Sequence, residues 1–153
     1  PLQMARLLAF VANDGWLVTP HVVSDDGSAR RVSEIDHSPF LATRHRIPGI
    51  KEETLSAVRA GLLAAVDEPI GTGFKTVRLP GVSIAGKSGT AETAPGKPDH
   101  AWFTGYVPAE SPQYVVIVVL EHGGSGSKAA GPIARELVRS MKELGMLTGV
   151  AGN

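Results

Sequence analysis

The chain has 153 residues, with fifteen Lys and Arg balanced by fifteen Asp and Glu, and it contains no cysteine. This length is typical of one domain, and the balanced charge provides no basic surplus for nucleic acid or for an acidic membrane surface. The lack of cysteine excludes disulfides, zinc thiolate sites and a cysteine nucleophile. Wholly apolar runs such as residues 115–120 are far too short for a membrane span.

Apolar residues at helical spacing predict three amphipathic helices. The first has a stripe that ends before a capping Gly15 and consists of Met4, Leu7, Leu8, Val11 and Ala12. The second covers residues 52–67, and its stripe consists of Leu55, Val58, Leu62, Ala65 and Val66. The third has Pro132 in its first turn, ends at Gly145, and is expected to bury Ile133, Leu137, Met141 and Leu144.

Three runs of strand-forming residues follow one another in the second half of the chain, with no helix between them. Such runs pair as an antiparallel sheet, because parallel pairing needs a long crossover. The sequence therefore predicts a mixed α/β fold of the α+β type, an antiparallel sheet packed with helices, with the last helix lying on the sheet. The predicted strands are residues 16–19, 82–92, 101–107 and 114–121, and a polar surface excursion over 24–48 has one short strand around 31–35.

The segment 86–92, GKSGTAE, contains the residues best suited to chemistry. Residues 81–88 satisfy the phosphate-binding pattern G-x-x-x-x-G-K-[ST], so a P-loop nucleotide-binding protein is one interpretation. A phosphate site of that kind needs a helix that begins at the Lys-Ser pair. Here Pro95 leaves room for barely one helical turn, and the residues Val-Ser-Ile-Ala before Gly86 are typical of a strand. The sequence favours an edge strand at this place.

On a strand, each residue of the Lys-Ser-Gly-Thr run has a physical task. The positive charge of Lys87 can hold a carboxylate and ease proton transfer from a serine. Alternation puts Ser88 and Thr90 on one face, where two hydroxyls can bind the same anion. Gly89 lets a substrate backbone approach closely, and the N–H of Thr90 can form half of an oxyanion hole. Alternation also puts Lys87 on the opposite face, so either its long stem or the strand twist must bring its ammonium into the site.

Several segments resemble class B penicillin-binding proteins, whose transpeptidase domains contain a K-[ST]-G-T-A strand. The segments that carry the resemblance are residues 1–5, 84–92, 101–108 and 116–124, and residues 120–130 are most similar to the elongation-specific members. The resemblance implies a β-lactamase/transpeptidase-like fold without a cofactor. It also implies a serine-type D,D-transpeptidase that cross-links peptidoglycan stem peptides through an acyl-serine intermediate and binds β-lactam antibiotics.

The same resemblance assigns the site residues. Lys87, Ser88 and Thr90 are expected to be catalytic, and Ser88, Gly89, Thr90 and Ala91 are expected to bind the substrate. No metal ligand is implied. The glycine loop, residues 123–127, is either a plain connector or a segment that shapes the mouth of the site.

Two motifs of the family are missing from the chain. Its mechanism needs a nucleophilic serine in S-x-x-K and a separate S-x-N, but no S-x-N occurs here. The one S-x-x-K, Ser125 to Lys128, follows the K-[ST]-G strand in a glycine-rich turn. The resemblance implies no catalytic residue there, so we reject Ser125 as the nucleophile. We therefore expect residues 1–153 to be the C-terminal portion of a transpeptidase domain, incomplete at its N-terminal side and inactive alone.

The resemblance also implies partners and a location. The expected partners are the remainder of the transpeptidase domain, stem peptides, β-lactams and the cell-elongation glycosyltransferase, with no nucleic acid. The expected location is extracytoplasmic, on the periplasmic side, in a parent protein anchored to the inner membrane by an N-terminal segment outside this chain. A non-catalytic penicillin-binding sensor is a further alternative, since it would share the strand and acylate without turning over peptides.

Two other features have simple interpretations. The five histidines, at positions 21, 37, 45, 100 and 122, have spacings that fit no ligand pair of a metal site, so hydrogen-bonded or solvated rings are expected. Trp102 and Phe103 are consecutive on a predicted strand and must point to opposite faces. One of them is expected in the core, and the other in a groove.

Overall fold

The computed structural model describes residues 1–20 and 45–148. Most of the predicted polar excursion, including the strand expected around 31–35, lies outside these ranges. In the described ranges no helix is both long enough and apolar enough to cross a bilayer. In chain order the elements are α1 (Leu2–Ala12), β1 (Trp16–Leu17), β2 (His45–Arg46), α2 (Glu52–Asp67), β3 (Ala85–Ala91), β4 (His100–Val107), β5 (Tyr114–Leu120), a π-helical turn (Gly126–Ala130) and α3 (Gly131–Glu143).

Strands β3, β4 and β5 form an antiparallel sheet with β4 in the centre, as the sequence predicts. Strand β3 begins three residues later than predicted, at Ala85. The preceding residues make a tight turn instead, in which Gly81 has a φ of +74° and Val82 donates its N–H to the carbonyl of Leu79. The carbonyl of Ser83 accepts a hydrogen bond from the N–H of Ala109, which lies outside the sheet.

Helices cover both faces of this sheet. On one face, Phe103 and Val118 are packed in a core with Val138 of α3, so the predicted position of the last helix is confirmed. On the other face, Tyr106 packs with Leu8 of α1. Burial raises the pKa of the Tyr106 phenol and the positive charge of Arg59 opposes that rise, so the phenol stays neutral at physiological pH.

Helix ends follow the local signals in the sequence. The N–H of Gly15 donates to the carbonyl of Phe10 at 2.9 Å, and Gly15 has a φ of +81°, which confirms the predicted left-handed cap of α1. Pro132 lies in the first turn of α3. Gly145 follows that helix with a φ of +68°.

The predicted buried face of α3 is wrong. Ile133, Leu137 and Leu144 are 46%, 45% and 75% exposed, and of the predicted set only Met141 is buried. The helix instead turns a stripe of mostly smaller residues toward the sheet, formed by Gly131, Ala134, Val138 and Met141. Both stripes have helical spacing, but the smaller residues let the helix axis approach the sheet more closely.

The predicted stripes of α1 and α2 are only partly buried. Leu8, Val11, Leu55 and Val66 are in the core as predicted, whereas the predictions for Leu7 and Val58 are wrong, because these side chains are 51% and 42% exposed. Both exposed side chains border a cavity beside strand β3. Phe10, which the sequence stripe missed, is buried.

Gly61→Ala is expected to stabilise the protein. Gly61 lies within α2, is exposed, and a Cβ built on it has no neighbouring atom within 4 Å. Alanine restricts the unfolded chain and favours the helix, so the free energy of unfolding should rise by about 0.5–1 kcal/mol. Urea unfolding of the intact protein measures this change, and a fall in stability would contradict the open environment found here.

Candidate active site

The Lys-Ser-Gly motif lies in the middle of strand β3, which pairs with β4 along one edge. Lys87 lies opposite Thr104, and Ser88 lies opposite Phe103. Directly opposed residues of antiparallel strands share a face of the sheet. Lys87 therefore lies on the face of α1 and α2, and Ser88 lies on the face of α3, which confirms the predicted alternation.

The Lys87 side chain is exposed and bends back along its own strand. Its Nζ donates a hydrogen bond to the carbonyl oxygen of Ser88 at 2.7 Å. The flexible stem, rather than the strand twist, thus brings the ammonium beside the motif. Among residues 1–20 and 45–148 no ion pair includes Lys87, so its positive charge is not neutralised by this part of the chain.

Among the described residues, each hydroxyl of the motif has one hydrogen-bond partner. The Ser88 hydroxyl donates to Oγ1 of Thr72 at 3.0 Å. The Thr90 hydroxyl instead accepts a hydrogen bond, from the N–H of Gly126 at 3.2 Å. A hydroxyl has one proton and two lone pairs, so Thr90 keeps its proton available for an anion.

The glycine loop packs directly against the motif. A Cβ built on Gly126 would lie 2.0 Å from the carbonyl oxygen of Gly89 and 2.6 Å from that of Trp102. Any side chain at this position would therefore force the loop away from β3. The expected location of the loop beside the motif is confirmed, and its role in shaping the substrate stays a prediction.

A mainly apolar cavity of about 670 Å³ lies between β3 and the two N-terminal helices. Its volume is within the range of about 300–1,000 Å³ that is usual for ligand sites. The helical wall includes Met4, Leu7, Phe10, Leu55, Val58 and Leu62. The sheet wall consists of Lys87, Ser88, Gly89, Thr90, Ala91, Trp102 and Thr104. All five residues that the sequence assigned to the site thus line one cavity.

The neighbouring aromatic residues divide as expected. Phe103 is completely buried in the core, whereas Trp102 is half-buried and lines the cavity. Sequence reasoning missed Thr72, which it treated only as part of a glycine-rich connection. The signal for it was a single hydroxyl residue held between Gly71 and Gly73.

The P-loop interpretation is wrong. Residues 85–91 form a strand, whereas a phosphate-binding loop needs a helix to begin at Lys87 and Ser88. The motif residues lie instead within an antiparallel pairing with β4.

His100 and His122 take part in ordinary hydrogen bonds. The main-chain N–H of His122 donates to Nδ1 of His100 at 3.0 Å, and Nδ1 of His122 lies 2.9 Å from the carbonyl oxygen of Pro98. In the part of the chain that the structure describes, no group of three or more His, Cys, Asp and Glu residues is arranged to hold a metal ion. His21 and His37 lie outside that part.

Comparison with known proteins defines the class to which this fold and motif belong. Residues 1–139 match the family described as the penicillin binding protein transpeptidase domain. The match covers most of the chain and includes α1, α2, the whole sheet and the motif strand. The chain therefore belongs to the penicillin-binding protein transpeptidase family.

Individual relatives show which members of the family the chain resembles. The chain is 34% identical to the peptidoglycan D,D-transpeptidase MrdA of Haemophilus influenzae, and the match covers 90% of this chain and 23% of that protein. Penicillin-binding protein 2 (PBP2) of Helicobacter pylori, solved in complex with MreC, has a TM-score of 0.77 and 27% identity, covering 96% of this chain and 25% of the other. PBP2 of Pseudomonas aeruginosa in complex with WCK 5153 has a TM-score of 0.75 and 32% identity, covering 92% and 29%.

These matches confirm the predicted resemblance to the transpeptidase domain of PBP2 homologues. They also show that the chain spans about a quarter of the length of the relatives it matches.

Proposed function

We propose that this chain provides the Lys-Ser-Gly strand of a peptidoglycan D,D-transpeptidase. The observation that best supports this proposal is that residues 87–91 of one strand line a single cavity. The ammonium of Lys87 and the hydroxyls of Ser88 and Thr90 are accessible there. Membership of the transpeptidase family and the naming of its relatives as peptidoglycan D,D-transpeptidases support the same activity. The substrates are stem peptides, and β-lactams are the inhibitors.

The proposed reaction passes through an acyl-serine. A serine Oγ attacks the carbonyl carbon of the donor peptide, the C–N bond breaks, and the leaving amine takes up the proton that the serine has lost. The ammonium of Lys87 stabilises negative charge near the reacting centre and eases that proton transfer. Ser88 and Thr90 donate hydrogen bonds to the terminal carboxylate of the donor, and the main-chain N–H of Thr90 points at the developing oxyanion.

The nucleophilic serine is proposed to come from a part of the transpeptidase domain outside residues 1–153. The cavity supports this division, because its helical wall exposes apolar side chains such as Leu7 and Val58 toward the motif. Exposed apolar surface gains about 25 cal/mol per Å² when another element covers it. The remainder of the domain is therefore the partner proposed for this wall, and it would bring S-x-x-K and S-x-N to the cavity.

The setting of the intact protein is also a proposal. We infer an extracytoplasmic position on the periplasmic side, where peptidoglycan is assembled, with an N-terminal membrane anchor outside this chain. A cell-elongation glycosyltransferase is the proposed protein partner, because glycan strands must be made before their stem peptides are cross-linked.

Labelling by a fluorescent penicillin tests this division of the domain. The intact protein is expected to become covalently labelled, whereas residues 1–153 alone should remain unlabelled, because their one S-x-x-K, from Ser125 to Lys128, lies beyond the motif strand. A gel of both samples after denaturation measures the label. Labelling of the isolated chain would contradict the proposal, and a Ser125→Ala variant would show whether that serine was responsible.

Cross-linking separates an enzyme from a penicillin-binding sensor. The intact transpeptidase should convert stem-peptide donors and acceptors into cross-linked product. Penicillin should abolish this conversion. A protein that is labelled but yields no cross-linked product would instead be a sensor. Mass spectrometry of the reaction products distinguishes the two outcomes.

A further inference from the structure

Thr72 lies beside the motif although it is far from it in sequence. It belongs to the loop between α2 and β3, and its Oγ1 accepts the hydrogen bond of Ser88 at 3.0 Å across a separation of 16 residues. Among the described residues, the Ser88 hydroxyl makes this one hydrogen bond. The hydroxyl proposed to bind the substrate carboxylate is therefore held by a second hydroxyl from another element.

The loop that holds Thr72 is fixed to the end of α2. The N–H of Gly73 donates to the carbonyl of Ala65 at 2.9 Å, and the N–H of Gly71 donates to that of Glu68 at 2.8 Å. A Cβ on Gly71 would lie 2.4 Å from the carbonyl oxygen of Ala65, so the loop packs too closely against the helix for a side chain there. The two glycines thus hold the backbone of Thr72 in one position in front of Ser88.

The directions of the hydrogen bonds explain how the Ser88 and Thr72 hydroxyls can act together. In the structure the Ser88 hydroxyl donates its one proton to Thr72, whereas the Thr90 hydroxyl accepts a hydrogen bond from the N–H of Gly126 and its own proton remains available. A carboxylate accepts hydrogen bonds and donates none. When the anion binds, the Ser88 proton must turn toward it, and the Thr72 proton can then turn toward Ser88. Ser88 keeps two hydrogen bonds in the bound state, and the chain of hydroxyls strengthens the bond to the anion.

We propose that Thr72 is a positioning residue that acts through Ser88 in recognition of the acyl donor's carboxylate. This inference rests on the proposed transpeptidase function. Thr72 itself does not touch the substrate. It orients the Ser88 hydroxyl and supplies the second proton of a hydroxyl relay, in which Thr72 donates to Ser88 and Ser88 donates to the carboxylate. A role of this kind affects donors with a free carboxylate and spares donors in which that group is neutral.

The test compares Thr72→Val with Thr72→Ser in the intact protein. Valine has the shape of threonine without the hydroxyl, and serine keeps the hydroxyl. Thr72→Val should lower the second-order rate constant for acylation by a penicillin about three- to tenfold, the usual effect of one lost hydrogen bond. It should leave the rate with the methyl ester of that penicillin within about twofold, and Thr72→Ser should restore the rate with the free acid.

A double-mutant cycle tests whether Thr72 acts through Ser88. In a Ser88→Ala background, Thr72→Val should cause no further loss, because the effects of coupled residues are not additive. Thr148→Val is the matched control, since the exposed Thr148 pairs through its main chain with Gln113, on another part of the surface. Equal loss with acid and ester, or full loss in the Ser88→Ala background, would overturn the relay and leave only a structural role for Thr72. Failure of the unsubstituted protein to react with penicillin would instead overturn the proposed function, and the inference with it.

Discussion

Lys87→Ala in the intact protein is expected to lower the rate constant for acylation by penicillin about 10²- to 10³-fold. The side chain is exposed, its Nζ lies 2.7 Å from the carbonyl oxygen of Ser88, and no acidic group among the described residues pairs with it. Its charge is therefore available to stabilise the anionic donor and the transition state. Stopped-flow or quenched labelling with a fluorescent penicillin measures the change.

The lysine prediction has a matched control in the same region. Lys97 is exposed in the loop between β3 and β4, outside the cavity, and Lys97→Ala removes the same charge. The control should acylate within about twofold of the unsubstituted protein, as is usual for surface positions. The stability of the Lys87→Ala variant should likewise change by less than about 0.5 kcal/mol. An unchanged acylation rate in Lys87→Ala would refute the catalytic role of this residue.

Gly126→Ala is expected to impair both folding and acylation. The new Cβ would lie 2.0 Å from the carbonyl oxygen of Gly89 and 2.6 Å from that of Trp102, and both are main-chain atoms that cannot turn aside. Overpacking of this kind should lower the free energy of unfolding by about 1–3 kcal/mol. The glycine loop must also withdraw from β3, which breaks the bond from Gly126 to Thr90. Because a shift of about 1 Å in an active site can cost 10²-fold in rate, acylation should fall by about that factor.

The opposite sign is expected for the same substitution in α2. Gly61→Ala should stabilise the protein and leave acylation unchanged, because a methyl group on Gly61 meets no neighbouring atom. Urea unfolding and penicillin labelling of the two alanine variants separate a general effect of glycine removal from the specific contact at Gly126. Acylation by Gly126→Ala at the rate of the unsubstituted protein would show that docking of the glycine loop does not position the motif.

The motif strand could be predicted because its information is local. The β-branched and small residues of three consecutive runs indicate strands, and short connections between them require antiparallel pairing. Alternation along the strand then places Lys87 on one face and Ser88 on the other, as the register with β4 confirms. The resemblance to class B penicillin-binding proteins rests on the same short segments, and the family match confirms it.

The buried faces of the helices could be predicted less well, because a helical period by itself does not say which neighbour covers it. Helix α3 has two apolar stripes, and close packing on the sheet selects the one with Ala134 and Val138 over the one with Ile133 and Leu137. Leu7 and Val58 fit their stripes but border the cavity. Periodicity thus located the helices and missed the orientation of one of them.

By itself, the sequence determined the order of the three helices and of the three strands of the main sheet, the strand position of the Lys-Ser-Gly motif and the class of protein, because each depends on residues close together in the chain. Only the tertiary structure decided which groups hold the motif in place. Thr72 meets Ser88 across 16 residues, and Gly126 meets Thr90 across 36. Such contacts exist because glycine-containing loops pack against a strand that local propensity cannot relate to them, so they follow from the assembled fold.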